Sequence, residues 1–358
     1  MGALVHVREW RACLRADLRA DLHGHQVNAL ADLSFAMAAV GHCHSGRVAA
    51  AVAGRARAAS SCRRLERTLA NPRLKPSRVF AGLARFAADR LAGRPLLLIL
   101  DETHNGRRLA CLKLSIAYRK RALPIAAACY RRDRPPHRMP RLIERLLRRA
   151  ARGLPAGADV TLLTDRGLTW PAVLDACRAL GWHFVGRVKG TTRLRRGDGS
   201  WQALSELVPR PGGRWSGRGR VFKKAGGRDL YVTAVWERGC REPWLLVSDR
   251  ADGHRGVRKY AKRFWTEELF RDEKGQGLQW RRSHVTDPAH GTRLLALMAL
   301  ATLLAVSLGT WVLKSGRRRW LESGRRRTLS LFQLGLRWLH AAIFQERPMP
   351  RGVHLYPS

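Results

Sequence analysis

Two short apolar runs, each leading into an aspartate, constrain this chain most. Pro95-Leu96-Leu97-Leu98-Ile99-Leu100 is uninterrupted and gives way to Asp101. Ala158-Asp159-Val160-Thr161-Leu162-Leu163-Thr164 leads in the same way into Asp165-Arg166-Gly167. A strand with no polar alternation has to be covered on both faces, so the chain must supply helices above and below a sheet. That is an α/β fold. The carboxyl ends of such strands are where open α/β sheets carry their chemistry, although an aspartate after a strand also commonly opens a turn.

The segments around these runs fill in the architecture. Leu112, Leu114, Ile116 and Tyr118 alternate with Lys113, Ser115 and Ala117, and Ile125 to Tyr130 follows Ala122-Leu123-Pro124. This predicts an antiparallel meander beginning with the Asp101 strand. Leu142 to Ala151 and Trp170 to Leu180 read as helices, and Phe184 to Val188 and Trp244 to Ser248 as further core strands. Residues 1–92 form a helical region, with apolar residues at three- and four-residue spacings over Val5–Leu22, Val27–Val40 and Ser77–Leu91. Its arginines, among them Arg57, Arg63, Arg64 and Arg67, suit docking on a duplex, as a helix-turn-helix or as a basic bundle. Residues 190–243 are rich in glycine and arginine, with strand-like pieces at Arg220–Lys223 and Asp229–Val235. They predict a β-rich insertion whose Trp201, Trp215 and Trp236 pack in a sheet or stack on bases. The expected division is a helical DNA-binding region (1–92), a core in two parts (93–189 and 244–315) around that insertion, and a C-terminal helical region (316–358).

Charge points to the partner. Lys and Arg number 68 against 27 Asp and Glu, a formal charge of +41. Positive charge spread over the whole chain fits a long nucleic-acid track better than one membrane-anchoring patch. Seven scattered cysteines without a CxxC pair indicate neither a disulfide framework nor a zinc ribbon, and place the protein in the cytoplasm, nucleoid-associated. Half of a metal site is conceivable in His42-Cys43-His44, but no second half appears at ligand spacing. Leu294 to Leu313 has no formal charge over 20 residues, enough to span a bilayer. With Thr302, Ser307, Gly309 and Thr310 inside it, a buried core helix is expected, and no membrane partner.

One helix carries the remaining constellation. In YAKRFWTEELFRDEKGQG, at 100° per residue, Tyr260, Arg263, Glu267 and Lys274 share one face while Ala261, Trp265 and Leu269 form a separate apolar stripe. A carboxylate among phosphate-holding groups suits metal-assisted phosphodiester chemistry, although a solvated helix with internal ion pairs fits the same pattern. With Asp101 and Asp165 it makes three acids, the kind of set two divalent cations need.

These residues resemble the DDE transposases of bacterial insertion sequences, whose catalytic core is ribonuclease-H-like. The similarity is to the subgroup marked by Tyr-x2-Arg-x3-Glu-x6-Lys, a spacing met by Tyr260, Arg263, Glu267 and Lys274, with Phe270-Arg271-Asp272 inside it. Leu100-Asp101-Glu102-Thr103 is similar to the first acidic motif and Leu163-Thr164-Asp165-Arg166-Gly167 to the second; Glu102 stands where an aspartate is frequent. The resemblance implies Asp101, Asp165 and Glu267 as catalytic ligands of two Mg²⁺ or Mn²⁺ ions. It implies Tyr260, Arg263, Lys274 and Arg271 as DNA-binding residues. The substrate would be double-stranded DNA, the inverted repeats at element ends and the target, cut through a hairpin and joined by a homodimer. A metal-dependent nuclease without strand transfer, or a non-catalytic transposase-derived DNA-binding protein, are the alternatives.

Overall fold

A computed structural model describes residues 2–52 and 58–356; Arg57 lies outside the described residues. The helical region comprises α1 (Gly2–Leu18), α2 (Gly24–Val40), α3 (Ser45–Val52), α4 (Ala58–Ala70) and α5 (Pro76–Arg90). Asp32 of α2 is buried and accepts from Arg11 of α1 and from Arg64 of α4 (2.7 Å), which ties the three helices together. Arg63 and Arg67 on the same helix remain exposed.

The core then follows in chain order as β1 (Leu96–Asn105), β2 (Leu109–Tyr118), β3 (Arg121–Arg131), α6 (Met139–Ala151), β4 (Val160–Thr164), α7 (Pro171–Ala179) and β5 (His183–Arg187). The expected meander is present: β1, β2 and β3 pair antiparallel, while β4 and β5 run parallel to β1. β6 (Arg193–Arg195), β7 (Trp201–Ala203), β8 (Arg214–Val221) and β9 (Arg228–Val235) reach the core through β10 (Trp244–Ser248). That strand pairs antiparallel with both β5 and β9, giving one ten-stranded mixed sheet of order β3-β2-β1-β4-β5-β10-β9-β8-β6-β7. Exposed and half-buried residues alternate along β8, which leaves Arg214, Arg218 and Arg220 in solvent. Its tryptophans are engaged: Trp215 and Trp236 pack against the core, and Lys223 lies over the Trp201 ring.

Two faces are covered, as the unbroken apolar runs require. Leu98, Leu100, Leu162 and Phe184 belong to the large cluster that includes α5, α6 and α7. Ile99, Leu163 and Val185, one residue along each strand, meet Tyr260 and Leu269 of α8 (Gly253–Ala261) and α9 (Trp265–Arg271) on the other face. Beyond these lie α10 (Pro288–Lys314) and α11 (Leu331–Phe344). α10 is long and apolar enough to cross a membrane, but 94% of its most apolar window is buried inside the protein, as expected of a core helix. It meets α11 through two glycines. A Cβ on Gly309 would fall on the carbonyl oxygen of Leu331, and one on Gly335 on that of Ala305.

Candidate active site

Register brings the first two acids together. Leu100 pairs with Thr164, so Asp101 and Asp165 follow as neighbours on adjacent parallel strands, on the face covered by α8 and α9. The apolar run suggests that β1 ends near Asp101, yet the strand continues to Asn105 because β2 keeps pairing with it. Asp101 therefore sits where β1 outruns β4. It is 8% exposed, and burial raises its pKa to about 6; Arg263 opposes the rise, while Asp165 and Glu267 add to it. Asp165 is half-buried, and its carboxylate accepts from the backbone N–H groups of Gly167 and Leu168, both at 3.0 Å. This loop fixes the second acid.

The third acid arrives on a helix that is not continuous. Between Tyr260 and Gly277 the chain passes from α8 through a 3₁₀ turn (Lys262–Phe264) into α9 and then a π turn (Asp272–Gln276). A uniform 100° step therefore fails at both ends of α9, and with it the single face of four residues. Tyr260, Arg263 and Glu267 stay on the site side. Arg263 Nη1 donates to Asp101 Oδ2 at 2.7 Å and Nη2 to Glu267 Oε1 at 3.4 Å, and its buried Nε has no hydrogen-bond partner among the described residues. Glu267 remains exposed. Tyr260 is fully buried, edge-on to Trp244 at 5.1 Å, and burial raises its pKa. The apolar stripe holds only in part: Leu269 is buried and Trp265 half-buried, but Ala261 is exposed.

Lys274 and Arg271 have other partners. Burial and the nearby Lys113 lower the pKa of Lys274, whose amine lies 5.6 Å from the Phe270 ring. Arg271 is exposed and bonds Glu268 (3.1 Å), which Arg121 also holds at 3.0 Å. Glu267 and Glu268 thus face different partners, the first toward Asp101 and the second away from it.

Lys113 is the residue that strand alternation hides. It is 1% exposed and paired with the equally buried Glu273 of the π turn, beneath Trp280 (4.8 Å). It is also the cross-strand partner of Asp101, so it stands on the same face beside the acid. Alternation suggests that Lys113 faces solvent, but β2 is buried along both faces. Glu102, one residue from Asp101, points to the opposite face, where it pairs with His104 at 2.9 Å and acts on Tyr130. Cys43, from the His-Cys-His run, is buried with its thiol pushed up to about 12, which keeps it protonated. Among the described residues no three His, Cys, Asp or Glu side chains converge as a metal centre.

Comparison with protein families matches residues 97–304 to the transposase DDE domain. No curated protein matches the chain. The matched span begins in β1, ends in α10, and so contains the mixed sheet, both aspartates and the Arg263–Glu267 helix. It covers more than half of the sequence, and on that extent the chain belongs to the transposase DDE domain family, enzymes whose partner is DNA.

Proposed function

We propose that this transposase binds the terminal inverted repeats of an insertion element, cuts them at a site built from Asp101, Asp165 and Glu267, and joins them to target DNA. The observation that carries the reading is that Arg263 bonds both Asp101 and Glu267, while Asp165 follows the strand beside Asp101 and acts on the same guanidinium electrostatically. The spacing of Tyr260, Arg263, Glu267 and Lys274 supports membership of the Tyr-x2-Arg-x3-Glu-x6-Lys subgroup, and with it cleavage through a hairpin.

DDE domains use divalent metals. The three acids fit one by donor chemistry: carboxylate oxygens are what Mg²⁺ and Mn²⁺ take, and Arg263 already supplies positive charge where a cation would. When bound, the metal pair would activate the attacking oxygen and stabilise the leaving one. The protein does the rest. Asp165 is oriented by two backbone N–H groups, and Asp101 is shielded from water by α9. Arg263, which bonds Asp101 in the DNA-free protein, would donate to a DNA phosphate in the complex. Tyr260 acts from beneath, holding the Arg263 turn against Trp244. Lys274 and Arg271 hold phosphates on either flank. Residues 1–92 bind the repeats and the segment 190–243 contacts DNA with its exposed arginines. The active form is a homodimer on two paired ends, in the cytoplasm.

The test is Mg²⁺-dependent cleavage of a plasmid carrying the inverted repeats that flank the gene. The wild type cuts at the repeats, and Glu267→Gln binds them but does not cut. Equal cleavage by both would remove Glu267 from the site. Cleavage with no joined product would leave a nuclease, and a monomer in the paired-end complex would refute the dimer.

A further inference from the structure

A groove of about 550 Å³ lies on the other flank of α9 from Asp101, between the β2–β3 hairpin tip and the loop before α11. Lys120, Arg121, Arg271 and Arg327 line it, with Phe264 and Trp265 at the end nearest Arg263. Its volume is that of a small-ligand site, too small to take a duplex in and sufficient for one strand.

Positive charge in it is only partly compensated. Arg121 and Arg271 share Glu268, and Arg121 also reaches the buried Asp272 at 3.4 Å. Lys120 and Arg327 are exposed and make no ion pair among the described residues. Both ends of the groove are built in advance. The hairpin turn runs through Arg119 (φ 46°) and Lys120 (φ 64°), two left-handed residues where Asn-Gly would be relaxed, so strain is spent on carrying two basic side chains. The facing loop is clamped by Glu322, which accepts from the Thr328 N–H and hydroxyl and from the Leu329 N–H.

We infer that this groove holds the sugar-phosphate backbone of an unpaired DNA strand leaving the acidic site, with Lys120 and Arg327 on its phosphates and Trp265 against a base. The inference rests on the transposase reading above. The strand is single because the groove admits no duplex, and it continues from the cut because Phe264 and Trp265 lie next in sequence to Arg263. Flanking DNA at the element end and target DNA offer the same phosphodiester chemistry.

The experiment uses the full chain and a Lys120→Gln/Arg327→Gln variant, with fluorescence anisotropy between 50 and 200 mM salt. The probes are a blunt element-end duplex, the same duplex with a five-nucleotide overhang at the cut, and an unrelated duplex with that overhang. On the end duplex with overhang, the slope of log Kd against log salt should fall by roughly 1.4 in the variant, two single-strand contacts at about 0.7 each. On the blunt duplex it should not change. A loss confined to the end duplex with overhang identifies flanking DNA, and one shared by both overhang probes includes target DNA. Equal losses on blunt and overhang probes would overturn the groove in favour of a general basic surface, as would a variant that matches wild type on all three. A wild type that binds none of the probes would sink the transposase reading, and the groove with it. Both substitutions are at exposed positions, and an unchanged melting temperature confirms folding.

Discussion

Replacing Lys113 with Met tests what holds the third acid over the first two. Lys113 and Glu273 are each 1% exposed, so the pair is fully removed from water, and Trp280 and Phe270 close over the ammonium. Removing the lysine strands a buried carboxylate, which typically costs 3–5 kcal/mol, far above the roughly 0–1 kcal/mol of an exposed pair. Removing both charges is different: a buried ion pair replaced by apolar groups of similar volume is often neutral or stabilising. The expected order in urea unfolding is therefore wild type, then Lys113→Met lower by about 4 kcal/mol, then Lys113→Met/Glu273→Leu recovered to within about 1 kcal/mol of wild type. DNA cleavage should fall further than stability alone explains in both variants, because the pair anchors the π turn that follows α9. Two results would refute the reasoning. A single variant within 1 kcal/mol of wild type would mean the pair is hydrated, and a double variant as damaged as the single one would mean that packing, not charge, sets the cost.

Three further outcomes follow. Asp101 has a pKa raised to about 6 from 3.8, so the folded state holds its proton more tightly than the unfolded chain; the penalty is absent below pH 3.8, grows as pH rises, and is complete above pH 6. The stability of Asp101→Asn relative to wild type should accordingly improve by about 2 kcal/mol between pH 4 and pH 7, out of about 3 kcal/mol for the whole shift at 1.36 kcal/mol per pKa unit, and a gap that stays constant with pH would contradict the shift. Gly335→Ala should lower stability by about 2 kcal/mol or more, since α10 and α11 must separate to admit the methyl group; the helix-propensity gain of about 1 kcal/mol is too small to offset overpacking. A melting temperature at or above wild type would show that the crossing is looser than it looks. Arg263→Gln should strengthen Mn²⁺ binding in DNA-free protein about tenfold, read by electron paramagnetic resonance, because roughly 1.4 kcal/mol of competing charge-assisted hydrogen bonding is lost. Weaker binding would mean that Arg263 orients the acids and does not compete for them.

What was legible in the sequence was legible for local reasons. Unbroken apolar runs specify strands covered on both faces, and β1 and β4 lie where those runs are, with α10 buried as its small polar residues suggested. Asp101 and Asp165 could be paired from their places after the two runs, though not the register that makes them neighbours, which depends on long-range pairing. Periodicity failed where backbone geometry departs from its ideal. The 3₁₀ and π turns around α9 are set by tertiary partners, Asp101 for Arg263 and Lys113 for Glu273, that no local window contains. Lys113 itself was hidden because a charge in an alternating strand reads as solvent-facing, and only a partner 160 residues away reverses that.

The placement of charge joins these observations. In a chain of +41, repulsion among cations makes each carboxylate valuable, and α9 with its π turn carries four of the 27: Glu267, Glu268, Asp272 and Glu273. Three of them are bound to basic groups on other elements, Glu268 and Asp272 by Arg121 and Glu273 by Lys113, and Arg263 in the turn before α9 takes Asp101 of β1. These hold the helix to the sheet. Glu267 is the exception, exposed and reached only at 3.4 Å, so it alone can move without breaking the dock. On the proposed reading, a fixed helix with one loosely held carboxylate near the two aspartates would leave Glu267 and Arg263 as the groups free to adjust, most of the ordering being done by folding. On that account, shortening the loose acid with Glu267→Asp should cost cleavage far more than stability, whereas Glu268→Gln should do the reverse.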